Sequence, residues 1–324
     1  LPADEVAKEK DVILREIDMG RDEPDQRLWE SLFETAFRQH PFRYPIIGYR
    51  DVFSAITRDD LTAYYRARYV PNNLVVVIVG AVDPAQTLAA VEKHFGGVPR
   101  KRLAPVTIPA ETAQLAPRAL HRFEDVEISR AAMAWQIPGI DHPDTPVLDV
   151  LATILGGGDS SVLWLELREK ARLVHAIDAH SWTPGSAGLF TVSFHCEPER
   201  REAAERAVER VLARCAQKGF TTAQICKAQQ QAVVSEINSR KTMSGQASRL
   251  GAAEVVIGDL DYARVYFERV KKVSAAELRR VMKTYLVSSK LTSVSLNPTS
   301  AKKPSATSIG ATGGEVNFEE IALP

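Results

Sequence analysis

The sequence predicts an α+β fold of two related domains, mostly antiparallel sheet packed by helices, with the first domain truncated at its N-terminal side. Three observations carry this. The chain repeats itself, its strand-like runs come in adjacent hairpin-like pairs, and its 324 residues exceed one ordinary core.

The repeat puts the elements in order. Residues from about Asp4 to Met19 have helical periodicity. Thr57 reads as an N-cap with Asp60 three residues on, and the helix it opens leads to the apolar run Leu74–Val79, read as a buried strand. Near the other end, Ser274 and Glu277 repeat the capping pattern. Leu61 and Leu74 stand thirteen residues apart, as do Leu278 and Leu291. Further upstream, EKDVILREI (Glu9–Ile17) lines up with QQQAVVSEI (Gln229–Ile237), which sets Glu16 opposite Glu236 and Glu9 opposite Gln229. Such matches, kept in order, mark two copies of one unit.

The second copy has a long approach to Glu236: strands over Arg118–Glu124, Ser129–Pro138, Val174–Trp182 and Leu189–His195, and helices over Pro143–Leu155 and Ser160–Ala171. Only fifteen residues precede Glu16, so the first copy lacks its front sheet and first helices. Pro105, Pro109 and Pro117 punctuate an Ala/Thr-rich stretch that reads as a linker. The expected spans are therefore a first unit 1–103, a linker 104–117, a second unit 118–297, and a connection 298–324 into a further repeat. That connection lies in the Ser, Thr, Lys and Gly-rich stretch Asn297–Gly314, and NFEEIALP (Asn317–Pro324) reads as the next opening strand. The chain opens on Leu1 rather than Met, which reads as a cut.

Composition narrows the function classes. With 45% hydrophobic and 25% charged residues the chain is ordinary for a soluble globular protein. Lys+Arg and Asp+Glu are both 41, so no uniform basic field is available for nucleic acid or anionic lipid. No apolar run reaches membrane-spanning length and no signal peptide opens the chain. Cys196, Cys215 and Cys226 are odd in number and lack CxxC spacing, which argues against a disulfide framework or a cysteine zinc site.

The first helix carries the chemistry. An α-helix advances about 100° per residue, so Glu9 and Glu16 fall within about 20° of one another and roughly 10 Å apart along the axis. Val6, Val12, Ile13 and Ile17 share their stripe, while Lys8, Lys10, Asp11, Arg15 and Asp18 take the flanks and back. Both carboxylates therefore sit on the face expected to be buried. A buried carboxylate requires a cation, a set of donors or a metal. An arginine or backbone partner is the commoner solution, so the pair does not identify a metal site unaided.

The run Lys8–Val98, with EKDVILREI, HPFRYPIIG, YVPNN and GAVDP in order, resembles the downstream half of the catalytic domain of pitrilysin-type (inverzincin) zinc metallopeptidases. LATILGGGDSSVLWLELREKARLVHAI resembles more loosely that family's non-catalytic partner domain. The resemblance implies a zinc held by two His of an HxxEH helix and by a Glu from a later helix, with the HxxEH Glu activating the bound water. It places Glu16 at the later zinc-ligand Glu, and Glu9 at an acidic residue that supports the site without binding metal directly. None of His40, His94, His121, His142, His175, His180 or His195 has HxxEH spacing. This chain alone is thus expected to bind Zn2+ weakly or not at all and to hydrolyse no peptide.

In the partner domain the resemblance implies an Arg, and a Tyr seven residues later, reaching the substrate backbone. Arg168 matches the Arg, and His175 stands at the Tyr position. A helix-surface ion pair is the plainer reading of Arg168. Gly156–Gly158 reads as a helix stop rather than a phosphate loop, since no GK[ST] follows. The expected parent is a zinc endopeptidase or oligopeptidase that takes extended peptides along a sheet edge. Its expected partners are peptide substrates and further domains of the same parent or a sister subunit, with no nucleic acid and no membrane span. The compartment is left between a bacterial periplasm and the cytoplasm. The rival expectation is a catalytically inactive family member that supports or presents substrate.

Overall fold

The structure, a computed structural model, describes residues 1–300. In chain order, α1 spans Ala3–Asp22, α2 Pro24–Ala36, α3 Arg50–Ala55, α4 Arg58–Arg68 and α5 Pro84–Phe95. Then follow β1 (Arg118–Glu124), β2 (Ser129–Pro138), α6 (Thr145–Gly156), β3 (Ala176–Trp182), β4 (Ala187–Cys196), α7 (Arg201–Lys218), α8 (Thr222–Ser239), α9 (Met243–Ala252), α10 (Tyr262–Lys272), α11 (Ala275–Tyr285) and β5 (Thr292–Pro298).

Strand residues alternate between two faces, and in the central strands both faces are apolar, so each must be covered. The strands form one sheet in the order β1-β5-β2-β4-β3. β2 pairs antiparallel with β4 and β5, β3 pairs antiparallel with β4, and only β1 and β5 run parallel. One face of β2 presents Met133, Trp135 and Ile137 to a core shared with Leu148, Leu151 and Leu155 of α6 and Val208, Leu278 and Met282 of later helices. The Trp135 indole N–H donates to the Val287 carbonyl at 3.1 Å, which satisfies the polar tip of a buried ring. The other face carries small Ala132 and Ala134 beside Leu189, Val294 and Leu296, and α2 covers it with Leu28, Leu32, Ala36 and Phe37. Small residues on this face let the helix approach closely.

Packing therefore joins the two sequence units. Arg118 donates to the carbonyls of Thr35 and Ala36, at 3.0 and 2.7 Å, and Gln136 to that of Ala36 at 2.8 Å. Within the Pro-punctuated connection, the Glu111 carboxylate accepts from the backbone N–H groups of Arg38, Gln39 and His40 at 2.8–3.0 Å. Burial raises its pKa, yet those three donors outweigh burial and hold it below the usual carboxylate range. Gln114 is buried and bridges Ala116, Leu291 and Thr292, so the connection is pinned along the sheet edge.

Both expected caps form as full capping boxes, Thr57 with Asp60 on α4 and Ser274 with Glu277 on α11. The helix expected over Ser160–Ala171 becomes a π-helix over Trp164–Lys170, with Ala171 N–H donating to Glu166 C=O at 3.0 Å. The strand expected at Leu74–Val79 is corrected. The segment has no helix or strand assignment, and Leu74, Val75, Val76 and Ile78 are exposed. A strand exists by pairing, and no neighbouring strand lies beside this segment among the described residues. At the other end, β5 runs through Asn297 and Pro298, so the sheet extends just into the expected second linker. NFEEIALP lies outside the described residues.

Candidate functional site

The first helix is held by its ends and one side. Lys10 donates to the carbonyls of Ser54 and Ile56, at 2.8 and 2.7 Å, and Arg50 pairs with Asp18 at 2.9 Å. Only Ile17 and Gly20 of α1 are buried. Glu9 and Glu16 share one face, as the periodicity predicts, but that face is exposed, contrary to the expected burial. The reason is the same as for Leu74–Val79: periodicity makes a stripe, and burial needs a surface opposite it. Among the described residues neither carboxylate has an ion-pair or hydrogen-bond partner.

Zinc takes four ligands in a closed site, and three protein ligands plus water in an open one. Among the described residues no three His, Cys, Asp or Glu side chains converge as a metal site. The side chains in hand do not fit zinc by themselves, and Glu16 offers at most one donor group.

The structure brings Arg168 and His175 together through the backbone. Arg168 Nε donates to the His175 carbonyl at 2.9 Å, Nη1 pairs with Glu169 at 2.6 Å, and the guanidinium lies 4.4 Å from the Trp164 ring. The His175 side chain turns to Glu197, Nε2 to Oε1 at 3.1 Å, while the His175 backbone N–H donates to the His195 carbonyl at 2.8 Å. Both side chains are half-exposed at the start of β3. The plainer ion-pair reading of Arg168 is thus realised with Glu169, and the same guanidinium remains open to solvent. No hydrogen bond or ion pair among the described residues links this pair to Glu9 or Glu16.

Sequence reasoning missed the polar groups inside the second domain. Glu236, the counterpart of Glu16, is buried and pairs with Arg240 at 2.6 Å and with Arg249. Asp149 on α6 accepts from the Tyr266 hydroxyl at 2.6 Å, and burial pushes its carboxyl above the usual range despite that bond. Asp144 receives Arg280 and the Tyr285 hydroxyl, the latter at 2.8 Å, and the Arg280 bond leads in holding its pKa low. Arg240 stands four residues after Glu236 and was legible as a helix pair. Arg249, Tyr266 and Arg280 reach their partners across turns and helices, and spacing carries no signal for that.

The comparisons with known proteins agree in direction. The family model described as Peptidase M16 inactive domain matches residues 55–232, more than half of the chain. An uncharacterized zinc protease of Mycobacterium tuberculosis is 29% identical over 303 residues, 93% of this chain and 69% of its own length. The crystal structure of a protease from Helicobacter pylori superposes with a TM-score of 0.84 at 27% identity, over 92% of this chain and 73% of that one. The crystal structure of a peptidase M16 inactive domain from Pseudomonas fluorescens shares the fold, with a TM-score of 0.82 at 22% identity over 94% of this chain and 72% of that one.

Proposed function

The chain belongs to the peptidase M16 inactive-domain family, and from that premise we propose that its parent is a zinc-dependent endopeptidase or oligopeptidase. In this reading Glu16 is one zinc ligand and Glu9 an acid beside it, the other ligands coming from elsewhere in the assembled enzyme. Arg168 and His175 grip the peptide backbone from the second domain. Substrates are unstructured peptides, and the further partners are other domains of the parent or a sister subunit. No helix of the described residues is long and apolar enough to cross a membrane.

One observation supports this reading above the others. In the second unit the Glu236 carboxylate is satisfied by two arginines, whereas Glu16 at the matching place has no internal cation among the described residues. A buried carboxylate such as Glu236 needs partners from its own fold, whereas the exposed Glu16, on the stripe that carries Ile13 and Ile17, is open to a cation supplied by another part of the enzyme. The rival reading, an inactive subunit that supports or presents substrate, draws on the matched family model being that of the inactive domain.

The test uses the full-length protein. Glu16→Gln is expected to remove most of the bound zinc and abolish peptide hydrolysis. Glu9→Gln is expected to lower activity by about 10- to 100-fold with less metal lost. Arg168→Ala should reduce kcat/KM by at least about tenfold with zinc content unchanged, and His175→Tyr should be tolerated. Metal analysis showing full zinc and full turnover in Glu16→Gln sinks the ligand assignment. An intact parent that cleaves no peptide with or without zinc establishes the rival.

A further inference from the structure

The second domain holds a charge cluster for which the proposed function has no use. Glu236 on α8 keeps only 7% of its side chain exposed, and its two oxygens face different partners. Oε1 accepts from Arg240, which caps α8 one turn on, at 2.6 Å; Oε2 pairs with Arg249, which arrives from α9. The Arg249 guanidinium also reaches Ser239 Oγ at 3.4 Å and lies 5.9 Å from the ring of Phe267 on α10. One side chain thus ties α8, α9 and α10 together.

Arg249 also stands where three clefts meet. One of about 460 Å³ lies between α6, α8 and α10, and includes Asp149, Glu236 and Tyr266. A second, of about 270 Å³, lies between α9 and the start of α10. A third, of about 450 Å³, is lined mainly by apolar groups such as Ile140, Pro184, Val256 and Phe267. The arm that separates them, α9 with the π-helix Ala253–Ile257, is otherwise held at its surface, where Met243 and Gly251 lie beside Gly80 and Val77 of the first unit. No residue of α9 is buried, Ala253 alone is buried in the π-helix, and Met243, Val255 and Val256 are exposed. The arm begins after the bend at Lys241 and Thr242 and ends at Gly258, whose φ of +76° suits a backbone reversal.

We infer that the Glu236–Arg249 pair is a latch that closes the α9 arm onto α8 and α10 and keeps the three clefts apart. When it parts, the arm moves outward about its two turn-like ends and the clefts join into one groove. Opening does not strand a bare buried charge. Arg240 caps α8, its backbone N–H still bonded to the Glu236 carbonyl ahead of the bend, so it stays with Glu236 in both positions, and the widened cleft admits water to the freed oxygen. Two arrangements with the same carboxylate satisfied make an arm that switches rather than unfolds. The latch rests on the geometry of the second domain and stands whether or not Glu16 binds metal.

Hydrogen exchange on the whole chain tests it. Arg249→Met is expected to speed exchange of the arm amides, residues 243–257, by about tenfold or more while β2 and β4 keep their protection. Glu236→Gln should act on the same amides, and the double variant should go no further than the stronger single, because both remove one contact. Arg249→Lys, which keeps the charge and loses the planar fork, should fall between wild type and Arg249→Met, and it serves if the methionine variant folds poorly. Unchanged arm exchange in both Arg249 variants overturns the latch. So does acceleration spread equally over β2 and β4, since that is loss of global stability.

Discussion

Helices α1 and α8 occupy matching places in the repeat and carry matching acidic or amide positions, yet their surroundings differ. On α8 the Gln229 amide is shared among the carbonyls of Val270, Lys271 and Val273 at 3.0–3.2 Å, where it serves the open end of α10. Glu236, two turns on, is buried between two arginines. On α1 the counterparts Glu9 and Glu16 face solvent, beside Val12 and Met19, which are exposed as well. The second helix packs near a five-stranded sheet with α6 and α10 around it; the first packs mainly against α2 and α3. The sequence pattern decides which residues share a face. Whether that face becomes core depends on what other parts of the fold bring to it.

The comparison is broken most severely by core truncation. Leu151→Ala on α6, a fully buried position, is expected to cost about 3 kcal/mol in urea unfolding. Val12→Ala on α1 should change stability by less than about 0.5 kcal/mol, because its side chain is already 45% exposed. Equal costs would mean that α1 is covered in solution by a surface of its own. A smaller effect separates the amide from the acid. Gln229→Ala takes the amide from three carbonyls, of which that of Val270 keeps the Val273 N–H, and should cost about 1–2 kcal/mol, while Glu9→Ala should stay within about 0.5 kcal/mol in the same assay. The smallest contrast concerns the caps. Ser274→Ala should lower global stability by about 1 kcal/mol, since α11 is part of the main core. Thr57→Ala removes the same kind of box from α4, which has no buried residue. Its loss should appear as faster amide exchange in the first turn of α4, with little shift in the unfolding midpoint.

Much of this is legible in the sequence. β1 and β2 begin and end where alternation and apolar runs put them, and both capping boxes follow from a Ser or Thr with an acid three residues on. The pairing of Glu16 with Glu236 came from the repeat, and Arg240 lay within one turn of the second. The seating of α2 was not legible: Leu28 and Leu32 announce an amphipathic helix, but not that its partner is the back of a sheet a hundred residues later. Nor was Glu111, whose three donors belong to a loop some seventy residues earlier.

The sequence by itself determined the capped helices, the strands β1 and β2, their order and the shared face of Glu9 and Glu16, because caps, turns and periodicity act over a few residues of backbone. Only the tertiary structure decided that, among the described residues, Glu236 is neutralised from within and Glu16 is not, that Leu74–Val79 finds no strand partner there, and that Arg168 spends its Nε on the His175 carbonyl. Those outcomes depend on which surfaces meet, and burial, charge pairing and strand formation are properties of two surfaces rather than of one segment.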